Sequence, residues 1–199
     1  MIFSNKACVF DFEGYEILLF KNLISVKESY KIYNKLLNTI EWRQDSLNFG
    51  GKKVLIPRLQ AWYGDPDASY KYSGLKLHPK PWTKTLLEIK DLVEFHAIHK
   101  FNSVLINYYR NGKDSMSWHS DNERELGQNP LIASVSFGQT RKFSLKHNED
   151  KSKKLDMCLD NGSLLIMPKG LQEICKHQLP KQPNLTSGRI NLTFRMVRQ

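Results

Sequence analysis

Apolar side chains recur at helical spacing in two stretches of the first half of the chain. The first stretch runs from Ser25, a candidate N-cap, to Gln44, and the second runs from Pro81, which suits a first helical turn, to about Phe95. The periodic apolar positions are Val26, Tyr30, Tyr33, Leu37 and Ile40 in the first stretch, and Trp82, Leu86, Ile89 and Val93 in the second. The pattern predicts two amphipathic helices.

Elsewhere the apolar positions form short runs that predict strands. Residues Asn48 to Gly74 mix glycine, proline, tyrosine and lysine, which indicates loops and short irregular strands. After Phe101, apolar runs alternate with turn residues and predict strands at Ser103–Tyr109, Leu131–Phe137, Lys142–Lys146, Leu155–Leu159, Ser163–Met167 and Ile190–Val197. Helices first and many short strands later predict an α+β protein whose sheets form a sandwich or jelly roll.

Length and composition narrow the class of protein. The 199 residues fit one domain, and 40% hydrophobic with 25% charged residues is ordinary globular usage. No apolar run approaches the ~18 residues that a membrane span needs, and the first residues include Asp11 and Glu13 instead of a basic and then apolar leader. Three cysteines without a CxxC pair argue against a disulfide framework or a zinc finger. We therefore expect a soluble intracellular protein with no membrane partner.

The net charge is the first sign of a binding partner. The chain has 30 Lys and Arg against 20 Asp and Glu, a formal net charge of +10. This excess favours a polyanionic partner, because each basic side chain placed on a phosphate releases a counterion. A solvated basic surface without any partner explains the charge alone equally well.

Two histidines and one aspartate have the spacing of a metal site. In an extended His119-x-Asp121 both side chains lie on the same face, because strand side chains alternate. His177, from a distant strand, would complete the two-His-one-carboxylate face that holds iron(II) in non-haem oxygenases. Taken alone the triplet is weak evidence, since His-x-Asp is frequent by chance and the chain has six histidines.

The last predicted strand adds a second chemical feature. Its apolar residues alternate strictly with Arg189, Asn191, Thr193 and Arg195, which therefore share one face. An outer strand with a solvated polar face would have the same pattern. Two arginines on one face nevertheless suit a small dianion, because Arg makes bidentate contacts with carboxylates. Asn107 and Tyr109 share a face of their own strand and can also donate, so the metal triplet and these residues together predict a 2-oxoglutarate-dependent oxygenase.

The same region resembles the AlkB family of Fe(II)/2-oxoglutarate-dependent dioxygenases, which remove alkyl groups from nucleic acids. The resembling segments are Leu105–Gly112, His119–Glu123, Ser134–Gly138, Gly162–Met167, His177–Pro180 and Arg189–Arg195. The resemblance runs from about Phe49 to the C-terminus, in family-like order and spacing. Within the family the chain is most similar to eukaryotic-type enzymes that repair double-stranded DNA, because Pro57–Asp65 and Tyr72–Gly74 resemble their nucleotide-recognition lid.

The resemblance implies a fold and a set of cofactors. One dioxygenase domain is expected over residues 1–199, with the nucleotide-recognition lid at about 45–80 and the catalytic core at about 100–199. The core would be a double-stranded β-helix (jelly roll) flanked by N-terminal helices. The implied catalytic residues are His119, Asp121 and His177, which would bind Fe(II), together with Arg195. The co-substrate 2-oxoglutarate would chelate the iron and react with O2. The residues implied around its carboxylates are Asn107, Tyr109, Arg189, Asn191, Thr193 and Arg195.

The resemblance also implies a reaction and a partner. The expected reaction is oxidative demethylation of 1-methyladenine and 3-methylcytosine in DNA by direct reversal, releasing formaldehyde while 2-oxoglutarate becomes succinate and CO2. Such lesions are cationic and pair badly, which lowers the cost of flipping the base. The expected partner is double-stranded DNA with one flipped alkylated base, bound by a monomer. The expected compartment is the nucleus of a eukaryote or the cytoplasm of a bacterium.

Residues that contact the nucleic acid follow from the same resemblance. The set is Phe49, Gly50, Lys52, Arg58, Tyr70, Tyr72, Asn122 and Glu123. Tyr72 and His119 would stack on the flipped base, Tyr70 would hydrogen-bond it, and Phe49 would fill the gap left in the duplex. Glu123 would accept from an exocyclic amine, whereas Asn122 replaces an acidic residue of the nearest relatives. Each of these roles has an alternative. The two tyrosines could simply pack on a sheet, Phe49 could be a buried loop residue, and Glu123 could be a surface carboxylate.

Other functions stay open at this stage. The same chemistry could act on methylated RNA or on single-stranded DNA, and neither the charge nor the iron motif separates these substrates. A jelly-roll module that binds nucleic acid without turnover is another class, although intact ligands and both arginines argue against it. A zinc hydrolase would use the same three ligands but leaves the arginine strand unexplained. The basic stretch from Lys142 to Lys154 is expected to contact backbone phosphate, or else is simply solvated.

Overall fold

Strands outnumber helices in the structure, a computed structural model that describes residues 6–68, 70–72 and 75–198. The strands before the second helix are β1 (Cys8–Phe12), β2 (Tyr15–Phe20), β3 (Ser46–Phe49), β4 (Lys52–Leu55), β5 (Leu59–Gly64), β6 (Tyr70–Tyr72) and β7 (Leu75–Leu77). The later strands are β8 (Ser103–Tyr109), β9 (Met116–His119), β10 (Ile132–Gly138), β11 (Arg141–His147), β12 (Lys154–Leu159), β13 (Ser163–Met167), β14 (Cys175–Leu179) and β15 (Arg189–Arg195). The helices are α1 (Val26–Thr39), α2 (Lys84–Ala97), α3 (Leu171–Ile174) and a 3-10 turn at Arg124–Leu126.

Two antiparallel sheets form the core. The larger sheet has the strand order β1-β2-β13-β10-β15-β8-β5, and the smaller has the order β12-β11-β14-β9. Apolar side chains of both sheets pack into one cluster, which includes Ile132 and Leu165 from the larger sheet and Phe143 and Leu145 from the smaller. Two sheets with interleaved strand order are a jelly roll, so the predicted fold class is confirmed. No helix in the described part of the chain is long and apolar enough to cross a membrane.

Alternation along β15 gives the larger sheet one apolar face and one polar face at this strand. Ile190, Leu192 and Phe194 are fully buried and pack with apolar side chains of α1 and α2. The residues between them point to the other face, toward the smaller sheet. Strand β15 pairs with β8 along its whole length, with Asn191 opposite Asn107, so both strands present polar side chains to the same space.

Both predicted helices exist, but their ends differ from the prediction. The Oγ of Ser25 accepts from the Glu28 N–H at 3.3 Å and caps α1 as expected. Helix α1 ends at Thr39 instead of Gln44, because Ile40 is extended and Arg43 forms a β-bridge with Gln60. Helix α2 begins at Lys84 instead of Pro81, since Thr83 Oγ1 caps it through the Leu86 N–H.

The expectation that helices come first was wrong. The chain begins with the β1–β2 hairpin, and β2 pairs with β13, which extends the larger sheet. Glu13 and Gly14 connect the two strands with φ of 56° and 81°, the positive-φ pair of a tight hairpin turn. The apolar run Ile17–Phe20 is too short for periodicity to separate a strand from a buried helix.

Candidate metal and co-substrate site

The two strands that carry the histidine and aspartate triplet lie side by side. Strand β9 pairs with β14, and His119 lies directly opposite His177 in the register. Asp121 follows two residues after the end of β9, so one ligand atom from each of the three side chains lies within 4.8 Å of the others. The structure therefore brings together the three residues that the sequence predicted as metal ligands.

Hydrogen bonds orient the triplet. His119 Nδ1 lies 2.8 Å from the Ser117 carbonyl oxygen, so Nδ1–H donates there and Nε2 is left as the free ligand atom. The backbone N–H of Asp121 donates to Gln172 Oε1 at 3.0 Å. Gln172 is 1% exposed and lies on α3, beside β14 in the chain. Gln172 was not predicted from the sequence, because nothing in the local pattern connects it with Asp121.

The charges in the site favour a divalent cation. Burial would raise the pKa of Asp121, but the charges of Arg195, His177 and His119 outweigh it, and the pKa falls to about 2. Burial lowers the pKa of His177 to about 3, so its ring is neutral at pH 7. Nδ1 of His177 is buried and has no hydrogen-bond partner among the described residues. An ionised carboxylate with neutral, buried imidazole is the donor set that iron(II) takes in oxygenases, so the residues fit the metal.

Beside the triplet, the polar face of β15 forms an anion site. We use this name for Asn107 and Tyr109 of β8 and for Arg189, Asn191, Thr193 and Arg195 of β15, which line one cavity with the triplet. That cavity is narrow, about 50 Å³. All six predicted residues of the co-substrate group are therefore on one surface, next to the metal ligands.

Arg189 is a buried cation that has only neutral partners. It is 2% exposed, and its Nη2 donates to Ser136 Oγ at 2.9 Å and to Asn191 Oδ1 at 2.7 Å. In the described part of the chain no carboxylate pairs with it, and its Nε has no partner. Burial lowers the pKa of Arg189 to about 10. A carboxylate in this cavity would supply the missing negative charge, so the residues also fit a dicarboxylate co-substrate.

Arg195 connects the anion site to the metal ligands. Its Nη2 lies 2.7 Å from Asp121 Oδ1. The two residues are close because β15 ends where the chain passes Asp121, 74 residues earlier in sequence. Arg195 thus holds the metal-binding carboxylate in place and keeps it ionised.

Two arginines lie close to the ring of Tyr109. The guanidinium carbons of Arg141 and Arg189 lie 5.8 Å and 5.6 Å from its ring centroid. Burial raises the pKa of Tyr109, against the opposing charges of Arg189, Arg58 and Arg141, so the hydroxyl stays protonated and can donate. Arg141 is 1% exposed and donates to the carbonyl oxygens of Asn111, Asp114 and Pro180 and to Gln182 Oε1. Arg141 was not predicted from the sequence, where it directly precedes the predicted strand Lys142–Lys146.

A second cavity adjoins the first. It has a volume of about 220 Å³ and shares Leu105 and Arg195 with the narrow cavity. Glu123, a predicted substrate residue, lines it together with the acidic Glu125, with Gln60 and Trp62 of the predicted lid, and with Arg43, which was not predicted from the sequence. Asn122 is exposed and lies outside the lining of both cavities.

The remaining predicted substrate residues lie on or near the β3–β4 hairpin and on β6. Gly50 and Gly51 form the hairpin turn with φ of 53° and 80°, and Lys52 is exposed beside them. Phe49 is opposite Lys52 in the hairpin register, and its side chain lies outside the described part of the structure. The same holds for the side chains of Tyr70 and Tyr72 and for residues 73 and 74. Arg58 Nε donates to Asn107 Oδ1 at 2.9 Å, which places this residue at the anion site.

A jelly roll that brings two histidines and a carboxylate beside buried arginines defines a class of oxygenases. The sequence model of the 2OG-Fe(II) oxygenase superfamily matches residues 16–195 of this chain. The chain is 38% identical over 190 residues to the bovine (Bos taurus) "Alpha-ketoglutarate-dependent dioxygenase alkB homolog 3", with 91% of this chain and 66% of the relative covered. It is 37% identical over 185 residues to the mouse (Mus musculus) "DNA oxidative demethylase ALKBH2", with coverage of 88% and 77%. The chain belongs to the AlkB family of this superfamily.

A solved structure supports the fold independently. The structure of OsALKBH1 superimposes with a TM-score of 0.62 at 19% identity and covers 90% of this chain and 97% of that one. The cofactors of the family are Fe(II), 2-oxoglutarate and O2, in agreement with the residues found here. The chain spans 66% of the length of its relative alkB homolog 3.

Proposed function

We propose that the protein removes methyl groups from alkylated DNA bases by oxidation. One observation carries the proposal: the metal ligands line one narrow cavity with the anion site and its buried Arg189, and a second cavity of about 220 Å³ adjoins it at Leu105 and Arg195. The volume of about 220 Å³ is below that of usual drug-sized pockets, which suits a single base better than a whole nucleotide. The expected substrates are 1-methyladenine and 3-methylcytosine.

The reaction balances with the family's cofactors. Bound Fe(II) with O2 and 2-oxoglutarate supplies the oxidising chemistry that hydroxylates the N-methyl carbon. One oxygen atom enters the methyl group, and the other enters succinate as 2-oxoglutarate loses CO2. The N–CH2OH product then breaks its C–N bond, so formaldehyde leaves and the base nitrogen is restored.

The protein's own residues bind and orient the reactants. In the anion site, Arg189 would pair with one carboxylate of 2-oxoglutarate, while the Tyr109 hydroxyl and the Asn107 amide donate to its oxygens. His119, Asp121 and His177 would hold Fe(II), with Arg195 fixing the position of Asp121. The buried faces of both sheets exclude water from this narrow cavity.

The second cavity suits a cationic base. Its lining includes the carboxylates of Glu123 and Glu125, while its two arginines are already paired, Arg43 with Asp45 at 3.3 Å and Arg195 with Asp121 at 2.7 Å. A base alkylated at a ring nitrogen that normally pairs carries positive charge. Glu123 would accept from the exocyclic amine of the lesion, and His119 would stack on the ring. The undamaged base is neutral and therefore gains less from the two carboxylates, which favours the lesion.

A row of lysines supports a polyanionic partner. Lys146 of β11 is directly opposite Lys154 of β12 and Lys176 of β14, so three like charges lie side by side across the smaller sheet. Adjacent like charges destabilise a sheet, and none of these three forms a salt bridge within the described part of the chain. Lys146 Nζ lies 4.4 Å above the ring of Trp118, next to His119. A phosphate backbone along this face would relieve the repulsion.

The proposed partner is duplex DNA with one base flipped, bound by a monomer. The β3–β4 hairpin projects two glycines and Lys52 at its tip, and its Leu47 and Val54 are half-exposed and paired. Phe49 at this tip would occupy the gap that the flipped base leaves. The three lysines would then contact the phosphate backbone of the duplex, and the hairpin would contact the stacked bases of the same duplex.

Mass spectrometry of repaired oligonucleotides tests the proposal. The protein would be incubated with Fe(II), ascorbate, 2-oxoglutarate and oligonucleotides carrying one 1-methyladenine or 3-methylcytosine, as DNA and RNA, single- and double-stranded. We expect loss of the methyl group with one formaldehyde and one succinate per base, and none with the Asp121→Ala variant. Succinate formed without any loss of methyl groups would refute the proposal, and faster repair of RNA or of single strands would reassign the substrate.

A further inference from the structure

Arg58 lies on the chain segment that joins the β3–β4 hairpin to β5, yet its side chain reaches the anion site. Its Nε–H donates to Oδ1 of Asn107 at 2.9 Å. Asn107 is 7% exposed and lines the narrow cavity with the metal ligands. The charge of Arg58 also acts on the pKa of Tyr109, which places the guanidinium close to both donors that β8 contributes to the anion site.

The direction of the Asn107 amide matters for an anionic ligand. A side-chain amide has one oxygen that accepts and one nitrogen that donates two hydrogen bonds, and the two ends are nearly equal in size. A carboxylate can only accept, so it is bound by the nitrogen and repelled by the oxygen. The hydrogen bond from Arg58 occupies Oδ1 and leaves the N–H donors of Asn107 for a ligand in the cavity.

The backbone around Arg58 is held firmly enough for this role. The Arg58 N–H donates to the Ile56 carbonyl oxygen at 2.9 Å, and the Ser115 N–H donates to the Pro57 carbonyl oxygen at 3.0 Å. Leu59, the next residue, begins β5 opposite Tyr108 of β8. Arg58 is therefore fixed on both sides, and a half-buried guanidinium at this position can hold Asn107 in one orientation.

We propose that Arg58 is a positioning residue of the co-substrate site, which sets the affinity for 2-oxoglutarate by orienting the Asn107 amide. The sequence placed Arg58 among the nucleic-acid contacts, whereas its hydrogen bond assigns it to the co-substrate. The inference rests on the proposed role of Asn107 in binding 2-oxoglutarate. It does not depend on which nucleic acid is repaired.

Calorimetric titration of 2-oxoglutarate into the Mn(II)-loaded protein tests the inference without turnover. We expect Arg58→Gln to weaken 2-oxoglutarate binding by at least about fivefold, or ~1 kcal/mol, because the Gln amide is shorter and uncharged. Arg58→Lys keeps a long, positively charged donor and should recover most of the affinity. Lys53→Gln is the matched control, because it removes one exposed positive charge from the neighbouring hairpin without contacting Asn107. It should leave the affinity unchanged.

A double-mutant cycle separates positioning from direct contact. If Arg58 acts through Asn107, Arg58→Gln should cost less than about twofold once Asn107→Ala is present, because no amide remains to orient. An undiminished cost in that background, or an unchanged affinity in Arg58→Gln alone, would overturn the inference. An Asn107→Ala variant that binds 2-oxoglutarate normally would instead refute the assigned role of Asn107. In turnover assays Arg58→Gln should raise the KM for 2-oxoglutarate while kcat at saturation stays near that of the unmodified protein.

Discussion

The two fully buried arginines, Arg189 and Arg141, should respond in opposite ways to the same substitution. Arg141 donates to three backbone carbonyls and one side-chain oxygen, all within 3.2 Å. Arg189 donates only to two side-chain oxygens, and its Nε has no partner among the described residues. We therefore expect Arg141 to stabilise the fold and Arg189 to bind the co-substrate.

The magnitudes follow from burial and from the hydrogen bonds. The pKa of Arg189 falls from 12.5 to about 10, which corresponds to roughly 3 kcal/mol of unfavourable burial of the charge at ~1.4 kcal/mol per unit. Arg189→Met removes this cost together with two hydrogen bonds of ~1 kcal/mol each, so the two effects nearly cancel and the free energy of unfolding should change by no more than about 1 kcal/mol. Arg141→Met leaves the buried Asp114 carbonyl oxygen and the half-buried carbonyl oxygens of Asn111 and Pro180 without their donor, at ~1 kcal/mol or more each. Burial lowers the pKa of Arg141 too, so removing its charge offsets part of this loss, and the net cost should be about 2 kcal/mol or more.

Urea unfolding and calorimetry together measure both effects. Arg189→Met should weaken 2-oxoglutarate binding to the Mn(II)-loaded protein by at least about tenfold, since a charged hydrogen bond contributes ~1.5–3 kcal/mol. We therefore expect Arg189→Met to lose affinity for 2-oxoglutarate while its free energy of unfolding stays close to that of the unmodified protein. If Arg189→Met destabilises the protein as much as Arg141→Met and binds 2-oxoglutarate normally, Arg189 is a structural residue and the anion site does not bind the co-substrate.

Four other changes have defined outcomes. His177→Ala should abolish both Mn(II) binding and repair while the circular dichroism spectrum is retained; repair by the metal-free variant would reject the assigned ligand. Phe49→Ala should cut repair of methylated duplex by roughly tenfold and of the matching single strand by less than about threefold, and equal losses would make Phe49 a structural residue. Lys176→Gln should reduce the slope of log affinity against log salt for duplex DNA by roughly 0.9, with 2-oxoglutarate binding unchanged; an unaltered slope would exclude a phosphate contact. Burial raises the pKa of Glu94, but Lys100, the Phe101 N–H and Lys90 outweigh it, so the net pKa is lowered. Its stabilisation is then present above the unfolded-state pKa and lost as pH falls through the folded-state value, so Glu94→Gln should flatten the acid limb of the unfolding free energy below about pH 5.

Strands with strong alternation or continuous apolar runs were predicted well from sequence. Ser103–Tyr109 and Ser163–Met167 have the bounds that the pattern indicated. Strand β15 begins one residue earlier and ends two residues earlier than the predicted strand Ile190–Val197. These segments are buried on at least one face, so side-chain chemistry repeats with the period of the strand. Strands β9 and β14 have little such signal, and only their histidines pointed to them.

Residues that support the site from a distance could not be predicted in this way. Gln172 meets Asp121 because α3 precedes β14, and Arg141 reaches loops that lie about 30 and 40 residues away on either side. Such contacts depend on the register between strands, which no local pattern encodes. The contact of Arg58 with Asn107 is of the same kind, and for that reason the sequence suggested a different role for Arg58.

The salt bridge between Arg195 and Asp121 joins the anion site to the metal ligands, so binding of the co-substrate and binding of the metal should favour each other. Without cofactors the site has two positive charges, on Arg189 and Arg195, and one negative charge, on Asp121. The histidines add no charge, because ligating histidines bind metal as neutral rings. A divalent cation adds further positive charge, and a dicarboxylate offsets it. Each ligand therefore improves the electrostatic environment of the other, and linkage requires the two affinities to rise by the same factor. Strand β15 makes this coupling direct, because Arg189 at one end lies in the anion site that we propose for the co-substrate, and Arg195 at the other end holds Asp121.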